Sequence, residues 1–232
     1  MQPQSRRFEA NAALALGDET LAGALAKLQR EFQADRDRML TRLPEFDALR
    51  DEARSIRDHV LAHLDSYLET FEQNVIRAGG EVHWCRDAAE ARDAVLTICR
   101  DADAAMVAKG KSMISEEIAL NDHLARAGIT PIETDLGEYI VQLRAEPPSH
   151  IVMPAIHLAM AGVADAFRDG HRDLDPQRPL DTPEALLHEA RGRLRRTFLT
   201  ADVGITGANM LVAETGAAVI ITNEGNGDLV HT

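Results

Sequence analysis

The sequence is poor in cysteine, aromatic residues and lysine, and it holds no long uncharged apolar run. Only two of its 232 residues are cysteine, Cys85 and Cys99, too few for a disulfide framework or a four-cysteine metal or iron–sulfur site within one chain. No apolar stretch nears the ~18–20 residues that span a bilayer. The opening segment MQPQSRRFEANAALAL carries Glu9 and only a short Ala/Leu run before Gly17, unlike a cleaved secretory signal. A cytoplasmic chain with no membrane span is therefore expected. Positive charge is short too: 25 Lys+Arg stand against 38 Asp+Glu, a net charge of −13, and such a field repels the phosphates of nucleic acid. Residues 1–80 contain 11 basic and 14 acidic side chains, so most of the excess lies in residues 81–232, where a site is sought. The basic residues include only three lysines, Lys27, Lys109 and Lys111, two of them separated by a single glycine.

With 45% hydrophobic and 27% charged residues the chain is neither disordered nor fibrous, and its length suits one main core with an appendage. From Asp18 to Ala78 apolar residues recur at helical spacing: Leu21, Leu25, Leu28, Phe32, then Ile56, Val60, Leu64, Leu68, Phe71, Val75. Two helices are expected, with Pro44 in the first turn of the second and Ala78-Gly79-Gly80 ending it. Residues 1–79 thus read as an N-terminal helical extension. From Gly80 the pattern changes to short apolar runs alternating with helices, the signature of an α/β fold with a mainly parallel sheet. Strands are expected at 82–85, 104–108, 129–133 and 151–153, and helices at 88–100, 112–127 and 136–143. A mostly helical stretch at 154–200 is broken by the Pro-rich segment 173–183. Three close strands at 203–206, 210–213 and 217–222, joined by tight glycine turns, would add an antiparallel or mixed portion to the sheet.

Ala108-Lys109-Gly110-Lys111-Ser112 joins an expected strand to an expected helix, the place where α/β folds gather anion-binding groups. It is not a phosphate-binding Walker loop, because the position five before Gly110 is Ala105. A carboxylate or phosphate ligand for Lys109, Lys111 and Ser112 stands beside the plainer reading in which Ser112 or Ser115 caps the helix. Glu116 and Glu117 follow in its first turns, where carboxylates favour the macrodipole. With Ile114, Ile118 and Ala125 on the core face, Glu116 and Asn121 would look out over the loop. In Glu133-Thr134-Asp135-Leu136-Gly137-Glu138, Asp135 and Glu138 have capping-box spacing. Glu133, at a strand end, has no capping role. His150 and His157 lack the spacing and the carboxylates of a metal site, and neither cysteine nor any Ser/His/Asp spacing marks a nucleophile. The tail presents Glu214-Thr215-Gly216 and Asn223-Glu224-Gly225-Asn226-Gly227 at strand ends.

The segments AKGKSMISEEIALNDHL, ETDLGEYIVQL, PSHIVMPAIH and ADVGITGANMLVAETGAAVIITNEGNG, in this order, resemble the LUD domain of the lactate-utilization proteins. The resemblance runs from about residue 10 to the chain end and is strongest to the iron–sulfur subunit family, lactate-utilization protein B (LutB). It implies a LUD α/β domain over residues 80–232, with a fold similar to the sugar-phosphate isomerase and CoA-transferase group. It further implies an oxidoreductase component in a bacterial, cytoplasmic electron-transport system that oxidises L-lactate to pyruvate, with homologues of the A and C proteins as partners. Proteins of this family continue into a ferredoxin-like portion with two cysteine clusters, so iron–sulfur clusters are expected there, and neither a cofactor nor a metal in this chain.

On this reading Lys109 or Lys111 pairs a small carboxylate such as lactate or pyruvate, and Glu133 or Glu214 moves a proton. Ser112, Glu116, Glu117, Asn121, Asp135, Glu138, Thr215, Gly216 and Asn223 make up the rest of the expected substrate site. Two alternatives stand beside it: a non-catalytic assembly domain of the same system, and a CoA- or sugar-phosphate-binding domain of the same fold. A homo-oligomer is an open expectation.

Overall fold

The structure, a computed structural model, describes residues 5–150 and 152–232. A 3₁₀ turn at Ser5–Arg7 leads into α1 (Phe8–Leu16), α2 (Glu19–Leu40), α3 (Phe46–Ala62), α4 (Leu64–Arg77) and α5 (Ala88–Asp101). Then come β1 (Met106–Lys109), α6 (Met113–Glu117), α7 (Leu120–Arg126), β2 (Thr130–Glu133), α8 (Leu136–Leu143), α9 (Met160–Gly170) and α10 (Pro183–Thr200). The chain closes with β3 (Val203–Ile205), β4 (Met210–Val212), β5 (Ala217–Val219) and α11 (Asn226–Val230). Two compact units result, one of residues up to Ala22, Cys85–Ala208 and Ile220–Thr232, the other of Gly23–Trp84 and Asn209–Val219.

The first unit is the α/β body. Its sheet has the order β2-β1-β3 and is parallel throughout, with Lys109 opposite Glu133 and Ala108 opposite Gly204 in register. Side chains alternate across such strands, and two apolar clusters result. Leu96 and Cys99 of α5, Val107 of β1, Leu120 and Leu124 of α7 and Ile129 form one. Tyr139 and Ile140 of α8, Ala164 and Phe167 of α9, and Leu186, Ala190 and Leu194 of α10 form the other, with Ile132 of β2 against it. The helices start where side chains accept the orphan N–H groups. Asp87 accepts from Ala89 and Glu90 at α5, Asp135 from Glu138 at α8, and Thr182 from Ala185 at α10, where Pro183 holds the first position.

Several expected elements change. The helix at 112–127 is two helices, because Ala119 takes a left-handed conformation (φ 53°) between α6 and α7. That turn leaves Ile114 and Ala125 exposed instead of on the core face. Of the strand expected at 151–153, residue 151 lies outside the described residues. Val152 and Met153 are not extended into a ladder, since both backbone N–H groups donate to the His150 ring at 3.1 Å. The tail does not extend the main sheet with antiparallel strands: β3 joins the parallel sheet, whereas β4 and β5 pair only with each other.

The second unit holds helices α3 and α4, most of α2 and the β4–β5 hairpin. Three helices stand where two were expected. The first break falls at residues 41–45, and Pro44 precedes the N-cap Glu45 instead of sitting inside the first turn. The second falls at His63, whose ring N–H donates to the His59 carbonyl at 2.9 Å, the acceptor its own backbone N–H would need to continue the helix. The hairpin is tied to α4 by Asn74, whose amide donates to the Ala213 carbonyl at 2.8 Å. At the hairpin turn Gly216 has φ 73°, and a Cβ there would lie 2.5 Å from the Val75 nitrogen. The strand expected at 82–85 is absent, and the Trp84 indole instead donates to Glu72 of α4 at 2.6 Å.

Candidate functional site

Parallel pairing places the last residues of β1 and β2 side by side, and both are charged. Lys109 Nζ donates to Glu133 Oε1 at 2.5 Å, with side-chain exposures of 1% and 6%. Two buried charges so placed are tolerable only as a hydrogen-bonded pair. Asn121 of α7 adds a second donor to the same oxygen at 2.6 Å. Gln142 of α8 fixes the strand itself: its carbonyl accepts from the Glu133 N–H and its amide donates to the Pro131 carbonyl, both at 3.0 Å. Thr134, fully buried, donates to the Lys109 carbonyl at 2.7 Å and accepts from Asn226 of α11 at 3.3 Å. These contacts join the ends of β1, β2 and the tail.

Glu138 adds a second carboxyl to this cluster, held in by the first turn of α8. Asp135 caps that helix as its spacing suggests, but the Glu138 side chain does not reach back to complete the box. It turns inward and is almost fully buried. Burial first, then the neighbouring charge of Glu133 and the nearby Glu116 carboxyl, push its pKa up to about 9. Glu138 is thus a neutral acid at pH 7. Neither of its oxygens accepts from a protein donor among the described residues, and Glu133 Oε2 has no donor either. A proton on Glu138 supplies the missing donor to these neighbouring carboxylates.

Lys111 stands at the mouth. Its side chain is 31% exposed; Nζ donates to the Val152 carbonyl at 3.1 Å and lies 3.7 Å from Asp135 and 3.9 Å from Glu138. The glycine between the two lysines is required, since a Cβ on Gly110 would come within 2.8 Å of Thr206. Ser112 caps α6, accepting from the Ser115 N–H at 3.2 Å. That accounts for Ser112 without a ligand, and a five-residue helix has little dipole to offer one.

Lys109, Lys111, Glu116, Asn121, Glu133, Asp135 and Glu138 are therefore gathered at one end of the sheet. Glu117 is exposed on α6 and Asn223 is exposed in the turn before α11. Glu214, Thr215 and Gly216 form the turn of the β4–β5 hairpin in the second unit, with Glu214 and Thr215 exposed. Sequence reasoning missed Thr134, Gln142, Glu224 and Asn226. Glu224, which accepts from the Leu136 N–H at 3.1 Å, lay inside the Asn-Glu-Gly-Asn-Gly motif and was within reach of it. Gln142 carries no local signal, because its role exists only once α8 lies along β2.

His157 bonds to Ser149 at 2.8 Å and to Glu146 at 3.1 Å. The Ser149 hydroxyl donates instead to the Pro154 carbonyl at 2.9 Å, so its proton is turned away from the ring. No group of three His, Cys, Asp or Glu among the described residues is placed to hold a metal ion. The two cysteines do not fit an iron–sulfur cluster: Cys85 is exposed, whereas Cys99 lies in the core with its thiol pKa raised by burial. Among the described residues no helix is long and apolar enough to cross a membrane.

The LUD domain profile matches residues 68–232, which takes in β1, β2 and all the site residues above. The chain belongs to the LUD domain family. An E. coli (strain K12) relative, "Uncharacterized electron transport protein YkgF", is 42% identical over 215 residues, covering 93% of this chain and 44% of that protein. The lactate utilization protein B of Bacillus licheniformis is 38% identical over 235 residues, covering 100% of this chain and 48% of that protein. That of Bacillus subtilis (strain 168) is 38% identical over 226 residues, covering 97% and 46%. This LUD domain chain thus spans about half the length of the curated relatives it matches. No solved structure matches it.

Proposed function

We propose that this chain is the LUD domain of a lactate-utilization protein B, a component of a cytoplasmic system that oxidises L-lactate to pyruvate. Its partners are homologues of the A and C proteins, and its electrons leave to iron–sulfur centres outside this chain. The observation that carries a substrate role for this domain is Lys111, a partly exposed ammonium beside the buried acid Glu138. Because Glu138 is neutral at pH 7, Lys111 is not cancelled by two carboxylates, and its charge is open to the carboxylate of a small hydroxy acid. Lys109 is already spent on Glu133, so it holds the proton-transfer group in place and leaves substrate pairing to Lys111.

Oxidising a 2-hydroxy acid to a 2-oxo acid releases two electrons, which pass on to the iron–sulfur centres outside this chain, and two protons, one from the hydroxyl and one from the carbon. Glu133, whose Oε2 meets no donor among the described residues except the proton held on Glu138, is the carboxylate that receives a proton through Glu138, which passes its own proton inward as it takes the one from the hydroxyl. Glu214, exposed on the hairpin turn, has no comparable setting. The test is thermal unfolding of the purified chain with L-lactate, D-lactate and pyruvate, repeated for Lys111→Ala. A ligand at 100 times its Kd stabilises by ~2.7 kcal/mol, a readable shift in midpoint. Stabilisation by lactate or pyruvate that the substitution abolishes supports the reading. An unchanged midpoint with all three, in a chain that unfolds cooperatively, rejects it.

A second reading, that the domain serves assembly, has its own observation: α2, α3 and α4 contain no buried residue, and Phe32, Ile56 and Leu61 are exposed on them. It predicts that crosslinks to the A and C homologues fall on these helices. Crosslinks confined elsewhere would remove it.

A further inference from the structure

α10 borders a cavity that lactate chemistry leaves unused. Within the first unit, a space of about 850 Å³ lies between α10, the start of α8 and the Glu224–Leu229 segment. Small-molecule sites commonly measure ~300–1,000 Å³, and a three-carbon acid would leave most of this one empty. Leu136, Leu194 and Phe198 give it an apolar wall. Arg191 and Arg195, one helical turn apart, also line it, and His188 lies one turn before Arg191 on the same face.

These three side chains make no ion pair or hydrogen bond among the described residues. The contrast along the same helix is direct: Arg193 is paired with Asp173, and Glu189 is taken by Arg178. In a chain with 38 acidic against 25 basic residues, two guanidinium groups beside an apolar wall remain without a carboxylate. Guanidinium forks match the oxygens of phosphate, and two of them with an imidazole suit a dianion better than a single carboxylate. The acidic group on the cavity, Glu224, accepts from the Leu136 N–H at the start of α8. It leaves an acceptor for a donor on the ligand's body.

The geometry points to a binding site for an organic phosphate monoester, its apolar body against Leu136, Leu194 and Phe198 and its phosphate between Arg191 and Arg195. Thr134, Glu224 and Asn226 border both this cavity and the site at the sheet end, but Lys111 does not line the cavity, so ester binding and lactate binding are read by different substitutions. The test is calorimetric titration of the purified chain with three such esters, flavin mononucleotide, adenosine monophosphate and 1-naphthyl phosphate. Each is run against its dephosphorylated counterpart, and inorganic phosphate is run alone. The expected result is that at least one ester binds, that its counterpart binds at least tenfold more weakly, and that Arg191→Gln with Arg195→Gln removes this difference while Lys111→Ala leaves it intact. Both arginines are exposed, and an unchanged unfolding midpoint confirms that the double variant keeps its fold. Binding by none of the three esters overturns the proposal. So does equal binding of ester and counterpart, equal binding of inorganic phosphate, or a folded double variant that retains the preference.

Discussion

Lys109 and Glu133 end adjacent parallel strands as direct register partners, and their side chains meet at 2.5 Å where almost no solvent reaches. The backbone register therefore sets the chemistry: a one-residue slip would turn one charge to the other face of the sheet. Removing one partner strands the other. Lys109→Met and Glu133→Gln are each expected to cost about 3–5 kcal/mol in denaturant unfolding, whereas Lys109→Met with Glu133→Leu recovers most of that loss. Single substitutions that cost under ~1 kcal/mol would mean that the pair is not buried as described.

Glu138 predicts a pH dependence with a definite sign. Its pKa rises from an ordinary 4.5 to about 9 in the folded chain, chiefly through burial. Between those values the folded chain keeps a proton that the unfolded chain has lost, so stability falls as pH rises. The slope from this group is at most ~1.4 kcal/mol per pH unit. Glu138→Gln cannot ionise and should gain on the parent chain steadily from pH 5 to pH 9 in urea unfolding. Parallel curves for the two proteins would show that Glu138 ionises normally.

What could be read in advance was local. The cap Asp135 and the span of α8 followed from short-range spacing, as did Gly79, which takes φ 90° past the end of α4. The lysine loop and Glu133 were placed at strand ends by the α/β pattern alone, and the register then made them partners. Other features depend on contacts distant in sequence. The inward turn of Glu138 sets it beside Glu116 and Glu133, which come from two other elements. The break at Ala119 leaves no trace in composition, because alanine is a strong helix former that here adopts a left-handed conformation. The tail misled for a similar reason. Its glycine-separated strands look alike in sequence, yet one pairs with β1 and the other two pair with each other.

A buried polar chain fastens α8 and α10. Tyr139 and His171 share a hydrogen bond at 2.7 Å, His171 meets Glu189 at 2.7 Å, and Arg178 grips Glu189 through two nitrogens at 2.5 and 2.6 Å. Glu189 is the hub, so its loss leaves two partners unsatisfied. Glu189→Gln should cost ~2–3 kcal/mol, against ~1 kcal/mol for Tyr139→Phe, which removes one bond at the end of the chain. Equilibrium unfolding of both variants checks the order, and a larger loss for Tyr139→Phe would contradict this arrangement.

Two glycines of the α/β body predict opposite outcomes for the same substitution. A Cβ on Gly204 of β3 would lie 2.1 Å from the Val230 carbonyl oxygen and 2.9 Å from its side chain, so the end of α11 must move. Moving it pulls Asn226 from Thr134 and Leu229 from the cavity wall. Gly204→Ala should therefore raise amide exchange at residues 226–231 while the β1–β2 ladder stays protected, a local opening and not a global one. Gly192, inside α10, has nothing within 4 Å of the corresponding position, and alanine there gains helix propensity of about 0.5–1 kcal/mol. Gly192→Ala should raise Tm with α11 exchange unchanged. If Gly204→Ala proved equally harmless, the packing of α11 on β3, and the cavity wall it supports, would have to be abandoned.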